Sequence, residues 1–361
     1  MKGDAPLALY GAGNLGRLAR DFLEKVGTRV GMVIDRNARE LTESALWSGV
    51  SLLHPDEVAE DTKRSVRLAV SLVTSPYVET ERSLLAQGFS DVVPFYDLAE
   101  SFRPAHPLSN GWFSPPLTPH DQDRTAKVLS LWHDDVSRAH HIQFIAWRRL
   151  REEWTFASAS LSPHDRFFIP EVTQVMTDHE FFVDGGAHHG HVTEEFVRLT
   201  NGAFNRVLVI EPDPFNVAQL RTNIKAGMPD GLRIDVCDFA LAENEGTLPF
   251  HEGLGHASQL SESGNMRVTA RPLDALGVSP TFLKLHLEGG ELSALKGAQK
   301  TLSRSRPIVA TTVYHNADGI WHTPLWLMET LSEYRFLFRL HTWCGTGAVI
   351  YAIPNERFGT G

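Results

Sequence analysis

Two short apolar runs in this sequence each lead into a glycine-rich turn and then into a helical pattern. Residues 7–10, LALY, precede Gly11-Ala12-Gly13-Asn14-Leu15-Gly16, and residues 181–184, FFVD, precede Gly185-Gly186-Ala187-His188-His189-Gly190. A buried strand that ends in glycines and opens a helix is typical of parallel α/β sheets, because parallel strands need a crossover connection. Both halves of the chain are therefore expected to be Rossmann-like.

The first half of the chain continues this alternation. Further apolar runs occur at VGMVID, which ends at Asp35, at residues 66–73 and at DVVPF, and the helical pattern VETERSLLAQG separates the last two. Strands that alternate with helices predict a parallel sheet. We expect residues 1–103 to form a small Rossmann-like nucleotide-binding domain that folds on its own.

Five prolines then separate the two halves, at positions 104, 107, 115, 116 and 119. Because proline at this density excludes both helix and central strand, residues 104–120 are expected to be a linker with few contacts. A single helix is predicted over 121–156, within a helical connecting segment at 121–164. Its expected role is to pack the two halves together.

Residues 165–361 are expected to form the second and larger domain. The predicted strands are FFVD, RVLVIE, RIDVC, FLKLHL, PIVATTVY, YRFLFRLH and AVIYAIP, with helices at 191–200, 214–226 and 291–303. The last two strands are separated by TWCGTG, a glycine-containing loop of hairpin size. The predicted fold class is α/β, a mostly parallel, doubly wound sheet closed by a C-terminal antiparallel hairpin.

Composition excludes several classes of protein. A length of 361 residues suits two domains, and a formal charge of -10 without a Lys/Arg cluster argues against nucleic-acid or anionic-membrane partners. The two cysteines, Cys237 and Cys344, are too few for a disulfide framework or a thiolate zinc site and indicate a reducing compartment. With no secretory signal pattern and no membrane span in the sequence, we expect a cytoplasmic protein.

A carboxylate follows the second predicted strand of the larger domain. Glu211 lies twenty-one residues after Gly190. Such a carboxylate can accept hydrogen bonds from ribose hydroxyls in the crevice beyond the strand ends, where glycines let a ligand approach the backbone. Together the loop and Glu211 favour a nucleoside-bearing cofactor over a structural turn.

The smaller domain satisfies the dinucleotide fingerprint in its usual context. Its residues are Gly11, Gly13 and Gly16, with Asp35 nineteen residues after the last glycine. A domain of about 100 residues has room for half of a dinucleotide site. The sequence leaves two possibilities for this domain: it binds a dinucleotide or nucleotide-sugar, or it is a scaffold that binds no ligand.

Longer motifs in the larger domain resemble the FkbM family of S-adenosylmethionine-dependent methyltransferases. They are FVDGGAHHG, VIEPDP and FLKLHLEGGELSALKGA, followed by AVIYAIP, and they cover about residues 165–361 in the family's order and spacing. His188 stands where the family commonly has Asn, and His286 where its K-x-D-x-E-G-A-E pattern has Asp. The first domain is similar to the N-terminal domain of some two-domain members and of bacterial sugar acyltransferases. The resemblance implies methyl transfer with S-adenosylmethionine as cofactor.

The resemblance also implies which residues contact the cofactor. They come from three loops: Asp184, Gly185, Gly186, Ala187, Gly190, Glu211, Asp238, Phe239 and Ala240. The glycine loop would hold the methionine end, Glu211 the ribose, and Asp238 with its two neighbours the adenine. A loop cap is the alternative role for Asp238.

Three further residues are predicted to be catalytic: His286, Glu288 and His315. The first two are spaced i, i+2 at the end of the fourth strand, which puts them on one face, and His315 ends the fifth strand at the same rim. A positioned imidazole or carboxylate can remove the proton of an acceptor hydroxyl. The structural alternative is that Glu288 braces the Gly289-Gly290 turn.

Three neighbouring residues have other expected roles. Glu291 is expected to cap the helix that it opens. Arg339 and His341 are expected to point toward the same rim as His315. Together with His341, the three catalytic candidates could also bind a divalent metal, but their spacing is no metal signature, so no metal site is predicted.

The sequence therefore predicts an S-adenosylmethionine-dependent O-methyltransferase, and the resemblance implies a sugar or glycan intermediate as its small-molecule substrate. One alternative is an NAD-dependent nucleotide-sugar oxidoreductase or epimerase, although neither domain has the Tyr-x-x-x-Lys pair of such enzymes. Another is a non-catalytic nucleotide- or cofactor-binding protein that lost its chemistry through the histidine at position 286. The oligomeric state stays open.

Overall fold

The computed structural model describes residues 6–41, 47–103, 106, 108, 113–229 and 231–359. Its first unit consists of β1 (Leu7–Tyr10), α1 (Asn14–Lys25), β2 (Val30–Ile34), α2 (Ala38–Leu41), β3 (Ser51–Leu53), α3 (Glu60–Ser65), β4 (Arg67–Val70), α4 (Tyr77–Ala86), β5 (Asp91–Pro94) and α5 (Phe95–Glu100). All five strands are parallel, in the order β3-β2-β1-β4-β5. The predicted parallel sheet is confirmed, and β3, three residues long at the sheet edge, was not predicted because it is too short to show a pattern.

The central strand β1 is buried and packs closely against α1. A Cβ at Gly16 would lie 2.1 Å from the carbonyl oxygen of Gly11, so α1 can lie against the end of β1 only with glycine at position 16. The single hydroxyl proton of Ser71 is shared between the carbonyl oxygens of Gly11 at 2.8 Å and Tyr10 at 3.0 Å. Close packing of helix and strand is one of the roles that glycines have in Rossmann turns.

Two helices, α6 (Pro119–Leu131) and α7 (Asp135–Leu150), replace the single helix predicted over 121–156. Trp132 is extended, with ψ 137°, and ends α6. The Asp134 side chain accepts a hydrogen bond from the backbone N–H of Ser137 and caps the start of α7. A buried Trp and a capping Asp therefore stop and restart the helix, which the apolar periodicity did not indicate.

The expectation that residues 104–120 have few contacts is wrong for the part that the structure describes. Ser114 is fully buried, and its backbone N–H donates to the carbonyl of Arg148 at 3.1 Å. Its hydroxyl donates to the carbonyl of Ala317. Pro104 and Pro107 lie outside the described residues, and Pro119 is the first residue of α6, a position at which proline is favoured. The segment is tied to the second unit.

The second unit carries a sheet of seven strands. Its elements are α8 (Pro170–Thr173), β6 (Phe181–Gly185), α9 (His191–Leu199), β7 (Arg206–Ile210), α10 (Pro214–Gly227), β8 (Ile234–Cys237), β13 (Phe282–Leu285), α11 (Glu291–Lys296), α12 (Gln299–Ser305), β14 (Ile308–Thr312), α13 (His322–Thr330), β15 (Tyr334–Leu340) and β16 (Ala348–Pro354). The order is β15-β16-β14-β13-β6-β7-β8, and β16 runs antiparallel to both of its neighbours. This confirms the mostly parallel sheet with a C-terminal hairpin. The chain reverses its winding between β6 and β13, where such sheets form a ligand crevice.

A second, four-stranded sheet was not predicted. It consists of β9 (Ala240–Leu241), β10 (Gly246–His251), β11 (Gln259–Leu260) and β12 (Met266–Arg271), in the order β11-β10-β12-β9. Its strands are short and half-exposed, so they lack the continuous apolar runs of the main sheet. The sheet stands beside the crevice at the carboxyl ends of the main strands.

Parts of the second half of the chain complete the core of the first unit. Trp147 of α7 and Cys344, after β15, are buried in the same cluster as Tyr10 and Leu68. The carboxylate of Glu153 accepts hydrogen bonds from the first two N–H groups of α4. The first unit therefore depends on residues far beyond position 103. None of the helices among the described residues is long and apolar enough to cross a membrane.

The buried His141 predicts a loss of stability in acid. Its Nδ1 accepts a hydrogen bond from the Trp132 indole at 3.0 Å, and its Nε2 lies 2.7 Å from the carbonyl oxygen of Ile320, so the ring is held neutral. Burial lowers the pKa of His141 to about 4 from 6.5. As the pH falls below 6.5, His141 becomes protonated in the unfolded chain while it is still neutral in the folded protein. The stability that His141 contributes is therefore complete above pH 6.5 and is lost as the pH falls toward 4.

The replacement His141→Gln is expected to flatten the slope of unfolding free energy against pH between 6.5 and 4 by up to about 1.4 kcal/mol per pH unit. The measurement is urea unfolding at a series of pH values. His179→Gln is the matched control, because the His179 side chain is 88% exposed. Equal slopes for His141→Gln and the unmodified protein would contradict the prediction.

Candidate functional site

The loop after β6 is held by a buried ion pair. Lys284 Nζ donates to Asp184 Oδ1 at 2.8 Å and to the carbonyl of Gly186 at 2.9 Å, and both charged side chains are almost fully buried. The Thr193 hydroxyl donates to Asp184 Oδ2 at 2.7 Å. Both oxygens of Asp184 are thus used to position the loop, and Asp184 does not line the adjacent cavity.

Two glycines of this loop are required by close approaches. Gly186 has φ +70°, and a Cβ there would lie 1.9 Å from the carbonyl oxygen of His286. Gly190 has φ +89°, and its Cβ would lie 2.7 Å from the side chain of Leu220. Gly186 also lines the cavity, so the loop can lie against the segment after β13 and still leave space for a ligand.

Glu211 follows β7 and is 5% exposed. Its Oε2 accepts the backbone N–H of His188 at 2.8 Å, and its Oε1 accepts that of Asp213 at 3.0 Å. Burial raises the pKa of Glu211 above its usual value, although these hydrogen bonds oppose the shift. Because each carboxylate oxygen has two acceptor positions, Oε2 can accept a further hydrogen bond from a hydroxyl in the cavity that Glu211 lines.

The same construction occurs in the first unit. Asp35 accepts the backbone N–H groups of Ala12 and Asn37, both at 2.7 Å. Asp35 and Gly11 line a cavity at the carboxyl ends of the first sheet. Gly16 lies in the packing of α1 against β1, and Gly13 precedes α1 with nothing near the position of a Cβ. The first sheet thus has a crevice with the same carboxylate arrangement as the second.

The cavity of the second unit, here called the first cavity, lies at the carboxyl ends of β6, β7 and β13. Its walls come from the glycine loop, the segment after β8 and the four-stranded sheet: Gly186, His188, Glu211, Phe239, Ala240, Phe250, Gln259, Leu260, His286 and Glu288. Asp238, in contrast, is exposed and does not line it. Gly185 ends β6 and Ala187 is buried in the core behind the loop.

A cluster of two imidazoles and one carboxylate lies at the edge of this cavity; we call His286, Glu288 and His315 the histidine–glutamate cluster. His286 Nε2 lies 3.1 Å from Glu288 Oε1, and His315 Nε2 lies 3.2 Å from Glu288 Oε2. The hydroxyl of Tyr314 is 3.0 Å from His286 Nε2 and accepts a hydrogen bond from Arg166. The structure therefore brings together all three residues that the sequence proposed as catalytic.

The reason for this convergence differs from the predicted one. The strand β13 ends at Leu285, so His286 and Glu288 do not share a strand face. Instead, Glu288 has φ +51°, in the left-handed region, and this turn directs its side chain toward both histidines. A non-glycine residue in that region costs about 1–3 kcal/mol, and such residues are enriched at functional sites.

Glu291 braces this turn, a role that the sequence alternative gave to Glu288. Its carboxylate accepts the backbone N–H groups of Leu287 at 2.9 Å and Gly289 at 3.0 Å. It also accepts the hydroxyl of Thr312 at 2.7 Å and lies 2.9 Å from His315 Nδ1. Glu291 thus fixes both the loop before α11 and the ring of His315.

The charges of the cluster affect one another. Burial and the nearby Arg166 guanidinium lower the pKa of His286 to about 3, against the effect of Glu288. Burial disfavours the charged form of His315, but Glu288 and Glu291 outweigh it and raise the His315 pKa well above its usual value. Burial likewise disfavours ionised Glu288, but His315 holds the pKa of Glu288 well below its usual range. His286 is therefore neutral at pH 7, and Glu288 is ionised.

A second cavity also adjoins the cluster. It shares His286 and Glu288 with the first cavity. The first unit contributes Leu18, Val73 and Tyr96 to its walls. The second unit adds polar groups: Arg166, Tyr314, His315, Thr342 and Thr346. Residues of the histidine–glutamate cluster thus border both cavities.

Arg339 and His341 do not join the cluster, which corrects the expectation that they share its rim. Arg339 pairs with Asp134 at 2.7 Å. His341 Nε2 lies 2.8 Å from the hydroxyl of Tyr351, and its Nδ1 lies 2.6 Å from the carbonyl of Ser162. Both side chains hold the connecting segment to the second sheet.

Sequence reasoning did not single out several residues around the site. Tyr314 and Arg166 border the cluster, and Lys284 holds the glycine loop. A lysine in the centre of the apolar run FLKLHL was the available signal, because a lysine inside a buried strand needs a partner.

The fold and the crevice at the carboxyl ends of the strands are Rossmann-like. This chain is similar to the crystal structure of a methyltransferase FkbM from Methylobacillus flagellatus KT. The similarity covers 96% of this chain and 90% of the Methylobacillus chain, with a TM-score of 0.66 and 19% sequence identity. The similarity to a precorrin-6y C5,15-methyltransferase from Geobacter metallireducens GS-15 covers 54% of this chain and 92% of the Geobacter chain, with a TM-score of 0.32 and 15% sequence identity. No curated protein matches the chain.

Residues 184–338 match the family model of the methyltransferase FkbM domain. Residues 184–338 therefore form an FkbM methyltransferase domain, and the chain is a methyltransferase, as the sequence resemblance implied. The matched residues contain the glycine loop, Glu211 and the whole histidine–glutamate cluster.

Proposed function

We propose that this methyltransferase transfers the methyl group of S-adenosylmethionine to a hydroxyl of a sugar or glycan intermediate. The observation that carries the proposal is that the cofactor crevice, the histidine–glutamate cluster and a polar cavity adjoin one another in that order. A crevice with a ribose-binding type of carboxylate, Glu211, adjoins the histidine–glutamate cluster, and this cluster opens to a second cavity with polar walls.

The chemistry of the walls supports one orientation of the cofactor in the first cavity. The ribose hydroxyls bind Glu211, whose Oε2 retains an acceptor position. The adenine lies among Phe239, Ala240 and Leu260, which offer apolar contact. The methionine end lies at Gly186, where the lack of a side chain leaves room. This orientation directs the methyl group toward His286 and Glu288.

The acceptor occupies the second cavity. Arg166, Tyr314 and Thr342 provide hydrogen-bonding groups that suit a hydroxyl-rich compound, and Tyr96 provides an aromatic wall. In the reaction the acceptor oxygen forms a bond to the methyl carbon while the carbon–sulfur bond breaks, and the hydroxyl proton leaves to the histidine–glutamate cluster. Removal of this proton contributes roughly 10²–10⁴ in rate.

The first unit supports two roles. It forms one wall of the acceptor cavity through Leu18, Val73 and Tyr96. Its own crevice at Gly11 and Asp35 supports the binding of a nucleoside-containing ligand, a dinucleotide or a nucleotide-sugar.

Glu211→Ala is expected to weaken S-adenosylhomocysteine binding at least tenfold in a calorimetric titration, because a ribose hydrogen bond to a charged group contributes about 1.5–3 kcal/mol. Asp35→Ala is the matched control, since Asp35 has the same backbone contacts in the first unit. It should leave that affinity unchanged. Unchanged affinity in Glu211→Ala, with the fold intact by circular dichroism, would contradict the assignment of the cofactor cavity.

The same titrations with NAD and a UDP-sugar test the first unit, where Asp35→Ala should weaken whichever ligand binds. Transfer of a labelled methyl group to sugars tests the acceptor class. Transfer to amines but not to hydroxyls would overturn the proposed O-methylation.

A further inference from the structure

We propose that the histidine–glutamate cluster binds one divalent transition-metal ion. The ligand atoms of His286, Glu288 and His315 all lie within 4.8 Å of one another. Each imidazole Nε2 is 3.1 Å or 3.2 Å from an oxygen of Glu288. Ligands at about 2.0–2.2 Å from one ion are about 2.8–3.6 Å apart when they are neighbours in an octahedral or tetrahedral shell. The measured separations fall in that range.

The orientation of His315 is the second, independent observation. The ring is 5% exposed, and its Nε2 lies 3.2 Å from Glu288 Oε2. Its Nδ1 lies 2.9 Å from the carboxylate of Glu291, to which it must donate. A neutral ring bonded in this way presents the lone pair of Nε2 to the carboxylate of Glu288. In that form a cation between Nε2 and Glu288 Oε2 takes the place of the proton that the ring otherwise holds there.

The support behind His315 is that of a metal ligand. Metal-bound histidines commonly donate their other N–H to a carboxylate, which fixes the ring and its tautomer. Glu291 provides this carboxylate and is itself held by the Thr312 hydroxyl and by two backbone N–H groups. The ring is thus oriented before any ion binds.

The ligand set indicates which ions fit. Two imidazoles and one carboxylate favour Zn²⁺, Mn²⁺, Fe²⁺, Co²⁺ or Ni²⁺ over Mg²⁺ and Ca²⁺, which prefer oxygen ligands. Glu288 and Glu291 together provide two negative charges, and the Arg166 guanidinium beside Tyr314 offsets one of them. With both imidazoles neutral, the remaining negative charge favours a cation.

Both cavities reach the cluster, so an ion there keeps positions for other ligands. If the proposed function holds, a hydroxyl that enters from the second cavity could bind the ion and lose its proton more readily. This consequence rests on the proposed function, whereas metal binding itself does not.

The test uses the full chain, freed of metal with a chelator and then dialysed against Co²⁺, followed by metal analysis and visible absorption spectroscopy. We expect one Co²⁺ per chain with a ligand-field band. Glu288→Gln, which keeps the side-chain shape, should weaken Co²⁺ binding at least tenfold. Glu291→Gln should weaken it about 10–100-fold, because it removes only the support of His315.

His191→Ala is the matched control, because His191 is 75% exposed and lies beside two other histidines that could bind Co²⁺ without function. Binding lost in His191→Ala but kept in Glu288→Gln would overturn the inference, as would less than one half Co²⁺ per chain. S-adenosylhomocysteine titrations of the same samples separate the two proposals. If that ligand binds and Co²⁺ does not, only the metal site is wrong; the reverse outcome overturns the proposed cofactor instead.

Discussion

Replacing Lys284 with methionine is expected to lower the free energy of unfolding by about 3–5 kcal/mol. The Lys284 ammonium is 1% exposed and is bonded to Asp184, whose side chain is fully buried. Without the lysine, the Asp184 carboxylate is left in the core with the Thr193 hydroxyl as its remaining side-chain donor. The carbonyl of Gly186 also loses its donor, so the glycine loop should loosen with the core.

Chemical unfolding by urea measures this loss. Arg64→Met is the matched control: Arg64 also pairs with an aspartate, Asp61, but the two side chains are 61% and 97% exposed. A pair so exposed contributes about 0–1 kcal/mol. The double replacement Lys284→Met and Asp184→Asn should recover part of the stability, because it removes the uncompensated charge. If Lys284→Met lowers the free energy of unfolding by less than about 1 kcal/mol, the Lys284–Asp184 pair does not hold the glycine loop and the core together.

Residues 1–103 produced alone are expected to be unfolded or rapidly degraded by protease, contrary to the independence that the sequence suggested. Trp147 and Cys344 fill the core of the first unit from outside this range. Asp97 pairs with Arg151, and the Glu153 carboxylate caps α4. Loss of these groups exposes apolar core and leaves helix N–H groups without partners.

Circular dichroism and limited proteolysis of the fragment test this prediction. Within the full chain, Trp147→Ala should cost about 3–5 kcal/mol, because it empties a buried site between the two units. Trp154→Ala is the control, since Trp154 is 44% exposed. A fragment that unfolds cooperatively with native-like stability would contradict the prediction.

The connecting helices show where sequence patterns stop being informative. The apolar positions of residues 121–156 predicted one helix, yet Trp132 and Asp134 divide it. Asp134 caps α7 and pairs with Arg339, which lies about two hundred residues later in the chain. A periodic pattern reports which side of a helix is buried, but not where a distant partner interrupts it.

The parallel sheets, the C-terminal hairpin and the glycine loops were determined by the sequence itself. Apolar runs such as FFVD and LALY are local, and a glycine loop followed by a helix has few structural solutions. The residues of the crevice, Gly186 and Glu211, could be found for the same reason: each stands at the end of a recognisable strand.

Only the tertiary structure decided how the site is assembled. His286 and Glu288 meet through a left-handed turn beyond β13, and His315 reaches them from the end of another strand. Glu291 holds that turn, while Tyr96 of the first unit closes the neighbouring cavity. These contacts depend on backbone angles and on packing between segments far apart in the chain. A sequence pattern records neither, because its signal comes from the spacing of residues along one element.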